Sequence, residues 1–299
     1  EDHELVTRAR ALGLPVDSPQ DNIQLVEEML ATVLQCVLDS GASSNLPRES
    51  QAALILLRGL DRADGQNAMD WVYDEGPDTL RVFTTNDFFP DGTPQEATGG
   101  YNAIHCDGLF DLENHLRRLR EQQPEGYPES RYSSLVADPR TPRIARSPNE
   151  ITMVGKSYFQ FGDGSAPGSG ASHGSVTAMG EETIRIEANC LHAPVSPNLL
   201  ARAAEYTDDK TVKEMQDAVQ DGTHRRLGST IHDGVGIAIL RTSGVPERAA
   251  AGIAYGDTLH HRHRDLLDVQ LFAYERPFLT DLGYPQSWAS MSKWESHWA

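Results

Sequence analysis

Two histidines one residue apart, His261 and His263, lie in the basic and titratable run His260–Arg264, just ahead of the apolar stretch Leu266–Ala273. On a strand, alternate residues share a face, so both imidazoles of a His-x-His pair point the same way. Such a pair binds one metal ion or divides its work between metal and substrate. The chain turns at Glu275-Arg276 and runs on to Asp281, an oxygen ligand that a hairpin can return toward His263. By composition alone the same run also reads as a solvated, charged turn. A second chemical segment is the loop Asp91–Gly100, which ends in Gly-Gly and delivers Tyr101 to the start of a helical pattern. A tyrosine there offers its hydroxyl for proton transfer, or buries its ring with the hydroxyl satisfied. The third is Asn45-Leu46-Pro47-Arg48-Glu49. Its Asn45 is either an amide donor or the cap of the helix that Pro47 opens.

The stretch from His261-Arg262-His263-Arg264-Asp265 to Asp281-Leu282-Gly283-Tyr284 resembles the signature of the heparinase II/III-like polysaccharide lyases. There, a His-Gly-His-x-Asp stretch leads into a strand and returns to Asp-x-Gly-Tyr. Here Arg262 stands where glycine is usual. The loop Asp91-Gly92, followed by Glu96 and Tyr101, is similar to that family's Asp-Gly loop, glutamate and tyrosine, with one extra residue between the last two. Asn45 and Glu49 match a family Asn and Glu, with Leu46 in place of a histidine. The resemblance covers residues 20–122 and 230–299. It implies Asn45, Tyr101 and His261 as catalytic residues and Glu49 and Arg262 as substrate contacts. It also implies His263 and Asp281 as ligands of a structural zinc ion (Zn2+), completed by a later histidine; His297 is a weaker candidate.

The reaction so implied is β-elimination on a uronic-acid-containing polysaccharide. It needs a donor to neutralise the sugar carboxylate, a base for the proton α to it, and an acid for the leaving glycosidic oxygen. Asn45 and His261 or Arg262 suit the first role and Tyr101 the last. The base is His261 or Tyr101, whose ordinary pKa near 10 requires cationic neighbours. A different class, a glycoside hydrolase, would need two carboxylates flanking the bond, for which Glu49 and Glu96 are available. A non-catalytic carbohydrate-binding relative is the third reading, suggested by Leu46 and Arg262.

Helices and strands must position these groups. Residues 21–39 show apolar positions at three- and four-residue steps (Ile23, Val26, Leu30, Val33, Leu34, Val37, Leu38), with Asp21 as the expected N-cap. Further helices are expected over 47–62, 69–86, 101–122 and 197–220, with a loop over 87–100. Short links between helices suggest helical hairpins. Strands are expected at 234–241, 249–255, 266–273 and 278–282, the last two a hairpin. Helices first and strands later indicate segregated domains. The expected class is α+β: a partial (α/α) toroid over 1–225 with an irregular insert at 123–180, then the beginning of an antiparallel β-sandwich over 226–299.

The net charge of −18 argues against a general nucleic-acid binder, whose footprint is basic. It also opposes an anionic polymer at long range, but screening within about 8–10 Å leaves the cationic run 260–264 able to hold a carboxylate. No run of 18 apolar residues spans a membrane. Cys36, Cys106 and Cys190 match no metal spacing, and Cys36 is expected in the core. The start at Glu1 and the end at Ala299 suggest a piece of a longer chain. The family resemblance implies an extracellular or periplasmic enzyme acting on an acidic polysaccharide.

Overall fold

The computed structural model describes residues 2–40, 47–60, 65–76, 79–96, 99–153, 159, 176–178, 183–186, 197–221, 223–225, 227–242, 249–256, 267–273 and 276–279. Chain contacts divide it into two compact units, Glu1–Phe83 with Asp111–Leu135, and Thr84–Phe110 with Val136–Ala299.

The first unit contains α1 (Asp2–Ala11), α2 (Pro19–Ser40), α3 (Arg48–Gly59) and α4 (Gly65–Asp70), which runs into a π-helical turn, Trp71–Glu75. It also contains the first part of α5 (Leu80–Asp87) and the second part of α6 (Gly99–Gln122). Leu54, Leu57, Leu112, Leu116 and Leu119 are fully buried here, as their spacing along α3 and α6 requires. Tyr132 donates to Asp70 at 2.6 Å, and its ring meets Tyr73 edge-on at 5.3 Å. Glu113, held in the interior, accepts from the Leu135 amide at 2.7 Å and so fastens the chain that follows α6.

Two expectations for α2 are corrected. Its N-cap is Ser18, whose Oγ accepts from the Asp21 amide at 3.2 Å; the Asp21 carboxylate accepts from the Ser18 amide at 2.7 Å. That is a capping box, with Asp21 three residues inside the helix. Two flanking amides hold the Asp21 carboxyl below the usual carboxylate range. The apolar face also lies differently: Ile23, Val26 and Val33 are half exposed or more, and Cys36 is exposed rather than in the core. The helix carries two apolar stripes, and the buried Leu34 marks the covered one.

The second unit contains α7 (Thr141–Glu150), α8 (Pro197–Tyr206), α9 (Lys210–Gln220) and two sheets. A short one has the order β1 (Val176–Ala178), β2 (Thr183–Ile186), β3 (Thr223–Arg225). The larger one is an antiparallel meander of β4 (Thr230–His232), β5 (Ile237–Arg241), β6 (Ala249–Ala254), β7 (Asp268–Ala273) and β8 (Arg276–Leu279). The hairpin expected around Glu275-Arg276 is present as β7 and β8. Phe159, Met153, Ile237, Ile239, Ala250 and Phe272 form the core beneath this sheet.

The second unit departs from expectation in three places. The insert expected to be irregular contains α7, because Pro142 occupies the first turn, where its missing N–H costs nothing, and Ile144, Ala145 and Pro148 make a buried face. Strands β1 to β3 lie within residues 1–225, read as a helical domain; β1 falls in its insert and β2 and β3 after it. The single helix expected over 197–220 breaks at residues 207–209, where the Asp209 carboxylate accepts from the Val212 amide at 3.0 Å and starts α9 afresh.

Candidate functional site

Tyr101 is half-buried in the first turn of α6. The loop before it is tightly built. An isolated bridge joins Phe88 to Pro94, and the Phe89 amide donates to the Thr93 carbonyl at 2.8 Å. The Asp91 carboxylate closes the turn, with one oxygen accepting from the Thr93 amide at 3.0 Å and its hydroxyl at 2.6 Å. Gly92 has φ +87°, and a Cβ there would stand 2.4 Å from the Arg143 carbonyl carbon, so only glycine fits.

Two other elements of the unit hold the same loop. From α7, Arg143 donates to the Pro90 carbonyl at 2.8 Å; from the residue capping α7, Arg140 donates to the Phe88 carbonyl at 2.7 Å. Asp138 holds Arg140 in place and has its own carboxyl held below the usual range by that guanidinium. From the sheet, the Gly234 amide donates to the second Asp91 oxygen at 2.8 Å. A Cβ on Gly234 would lie 2.4 Å from Phe89, so the turn between β4 and β5 sits directly on the loop.

The turn continues the connection. The Gly236 carbonyl accepts from the Tyr255 amide at 2.7 Å and the Gly256 amide at 3.1 Å, just past the end of β6. The Tyr255 hydroxyl donates to Asp233 at 2.6 Å; burial first, then that carboxylate, push the phenol up to about 12. His232 is buried beside the turn, its Nε2 3.9 Å from Glu150. Burial lowers its pKa against the opposing pull of Glu150 and Asp91, so it is neutral at pH 7. Arg241 donates to the carbonyls of Met153 at 2.7 Å and Glu150 at 2.6 Å, fixing the end of α7 to β5.

Behind Tyr101, α6 buries Asn102, His105 and Cys106. The Cys106 thiol lies 3.4 Å from the Ser147 hydroxyl, and burial raises it to about 12, which leaves it a packing group rather than a nucleophile.

Of the other expected site residues, Glu49 is half-buried in the first turn of α3, where a carboxylate complements the helix dipole. The position capping α3 is Pro47, without a side-chain cap, rather than Asn45. Asn45, His261, Arg262, His263, Asp281 and His297 lie outside the described residues. Among the described residues no group of three His, Cys, Asp or Glu could hold a metal ion, and no helix is long and apolar enough to cross a membrane. Asp91 as a bridge to the sheet was missed by sequence reasoning. Its one signal was the Asp-Gly pair, which marks a turn but not a partner at Gly234.

No protein-family model matches this chain, and no curated protein does. Solved structures do. A heparinase III aligns over 94% of this chain and 41% of its own, at 14% identity and TM-score 0.59. A second heparinase III aligns over 99% and 41%, at 12% identity and TM-score 0.57. A heparan sulfate lyase from Pedobacter heparinus aligns over 92% and 39%, at 16% identity and TM-score 0.52. The fold of the chain is therefore similar to part of the heparinase III and heparan sulfate lyase structures, and the chain spans about two-fifths of their length.

Proposed function

We propose that this chain is part of a polysaccharide lyase that cleaves a uronic-acid-containing polymer by β-elimination. The observation that carries the reading is the fold likeness to heparinase III over nearly the whole chain. The order of Asn45, the Asp91 loop with Tyr101, and the His261 segment supports it independently.

In this reading Asn45, with His261 or Arg262, donates hydrogen bonds to the sugar carboxylate as charge moves onto it, and Glu49 contacts the sugar. His261 or an ionised Tyr101 takes the proton α to that carboxylate. The electron pair left behind forms a carbon–carbon double bond as the glycosidic C–O bond breaks. The Tyr101 hydroxyl returns a proton to the leaving oxygen. His263 and Asp281 are the proposed zinc ligands, and the ion's role would be to stabilise the hairpin that carries His261. The same reading makes the helices part of an (α/α) toroid and the five-stranded sheet one layer of a β-sandwich. The sheet's apolar outer residues Ile231, Leu240 and Leu279, each more than half exposed, are the composition of a face that packs on another layer. An extracellular or periplasmic location follows from the same resemblance.

The test is product chemistry with the complete reading frame. A lyase releases an unsaturated, ultraviolet-absorbing uronate from a uronan at the same rate as new chain ends. New reducing ends without that absorbance would instead identify a hydrolase.

A further inference from the structure

We propose that Asp91 is a positioning residue that sets where Tyr101 enters α6 relative to the five-stranded sheet; this rests on the reading of Tyr101 as the proton donor. Asp91 stands 143 residues before Gly234, yet its carboxylate joins the two segments at 2.8 Å. One oxygen serves the loop, through the Thr93 amide and hydroxyl, and the other serves the sheet. A turn needs only the first. The second oxygen links the loop ahead of Tyr101 to the β4–β5 turn, which is itself bonded to Tyr255 and Gly256 at the end of β6. Arg140 and Arg143 hold the other side of the loop by its carbonyls. Among these ties Asp91 is the side chain that hydrogen-bonds the loop directly to the β4–β5 turn, and general acid catalysis is sensitive to misplacement of about 1 Å, which can cost about 10²-fold in rate.

Asp91→Asn divides the two functions, because an amide keeps one acceptor and replaces the other with a donor that faces the Gly234 N–H. Thr93→Val is the control: it removes a loop bond and leaves the tie to the sheet. Hydrogen exchange measured on the complete protein reads the tie without any assay, in the peptides that contain Gly234 and residues 99–105. With Asp91→Asn, exchange in both peptides should accelerate and kcat on a uronan should fall about 10²-fold with KM little changed. Thr93→Val should alter neither peptide and leave kcat within about twofold of wild type. Unchanged exchange at residues 99–105, or an unchanged kcat despite faster Gly234 exchange, would overturn the positioning role. A wild-type protein that forms no unsaturated product fails the lyase reading instead, and the exchange data still show whether Asp91 ties α6 to the sheet.

Discussion

The two faces of the five-stranded sheet carry side chains of the same kind and differ in what covers them. On one face Ile237, Ile239, Ala250 and Phe272 are packed with Met153 and Phe159 and are essentially solvent-free. On the other, strand register aligns Leu240, Ala251, Leu271 and Leu279 in one row, and Ile231, Ala238, Ile253 and Val269 in the next. Leu240 is 66% exposed and Ile231 67%. An alternating pattern alone would assign one face to water and polar residues. Here both faces are apolar, which is the pattern of a sheet made to be covered on both sides. In the first unit, α2 repeats the lesson: Leu34 is buried, while Ile23, Val26, Met29 and Val33 are half exposed or more.

The largest effect belongs to the covered face. Phe159→Ala should cost about 3–5 kcal/mol, since it removes the ring around which the cluster packs and leaves a cavity. Denaturant unfolding measures it, and a loss under about 1 kcal/mol would show that the two faces are equivalent after all.

A second effect lies at the edge of the covered face and depends on pH. His232 faces Glu150, Asp91, Asp233 and Arg241, and burial holds its folded pKa below the ordinary value of 6.5. The unfolded chain therefore binds the proton more readily than the folded one. The stability contributed by the neutral ring is present above about pH 6.5 and is lost as the pH falls from there toward the folded pKa. Relative to wild type, His232→Gln should flatten the decline in melting temperature on acidification through that window. Parallel curves would place the acid sensitivity elsewhere.

The smallest effect belongs to the open face. In the 299-residue chain, the double substitution Leu240→Ser and Leu271→Ser should change stability by no more than about 0.5 kcal/mol, as exposed positions do, and should reduce self-association. In the complete reading frame the same pair should cost several-fold more if a second layer covers the row. Equal costs in the two contexts would mean that the face stays open.

Much of the fold was legible because periodicity reports burial directly: α3, α6 and the β7–β8 hairpin lie where spacing puts them. What escaped was set by local or distant chemistry. Pro142 and Pro148 lie in the stretch 123–180 expected to be irregular, yet the first sits where α7 tolerates it and the second only in its last turn. The break before α9 comes from the side chain of Asp209, which apolar spacing does not register. For α2 the apolar residues were recognised, but not which stripe has a neighbour, because that is decided by other elements. The place of Tyr101 in the first turn of α6 was legible from its neighbours Gly99 and Gly100. The bond from Asp91 to Gly234 was not, since no local pattern encodes a partner so far along the chain.

In the proposed β-elimination Tyr101 delivers a proton to the leaving oxygen. The direct measurement is turnover of a uronan by Tyr101→Phe in the complete protein, alongside equilibrium binding of the same polymer. Removal of the hydroxyl alone should lower kcat by about 10²–10⁴-fold, the range of a positioned general acid, with the binding constant within about threefold of wild type. A variant that forms the unsaturated product at the wild-type rate would contradict the claim.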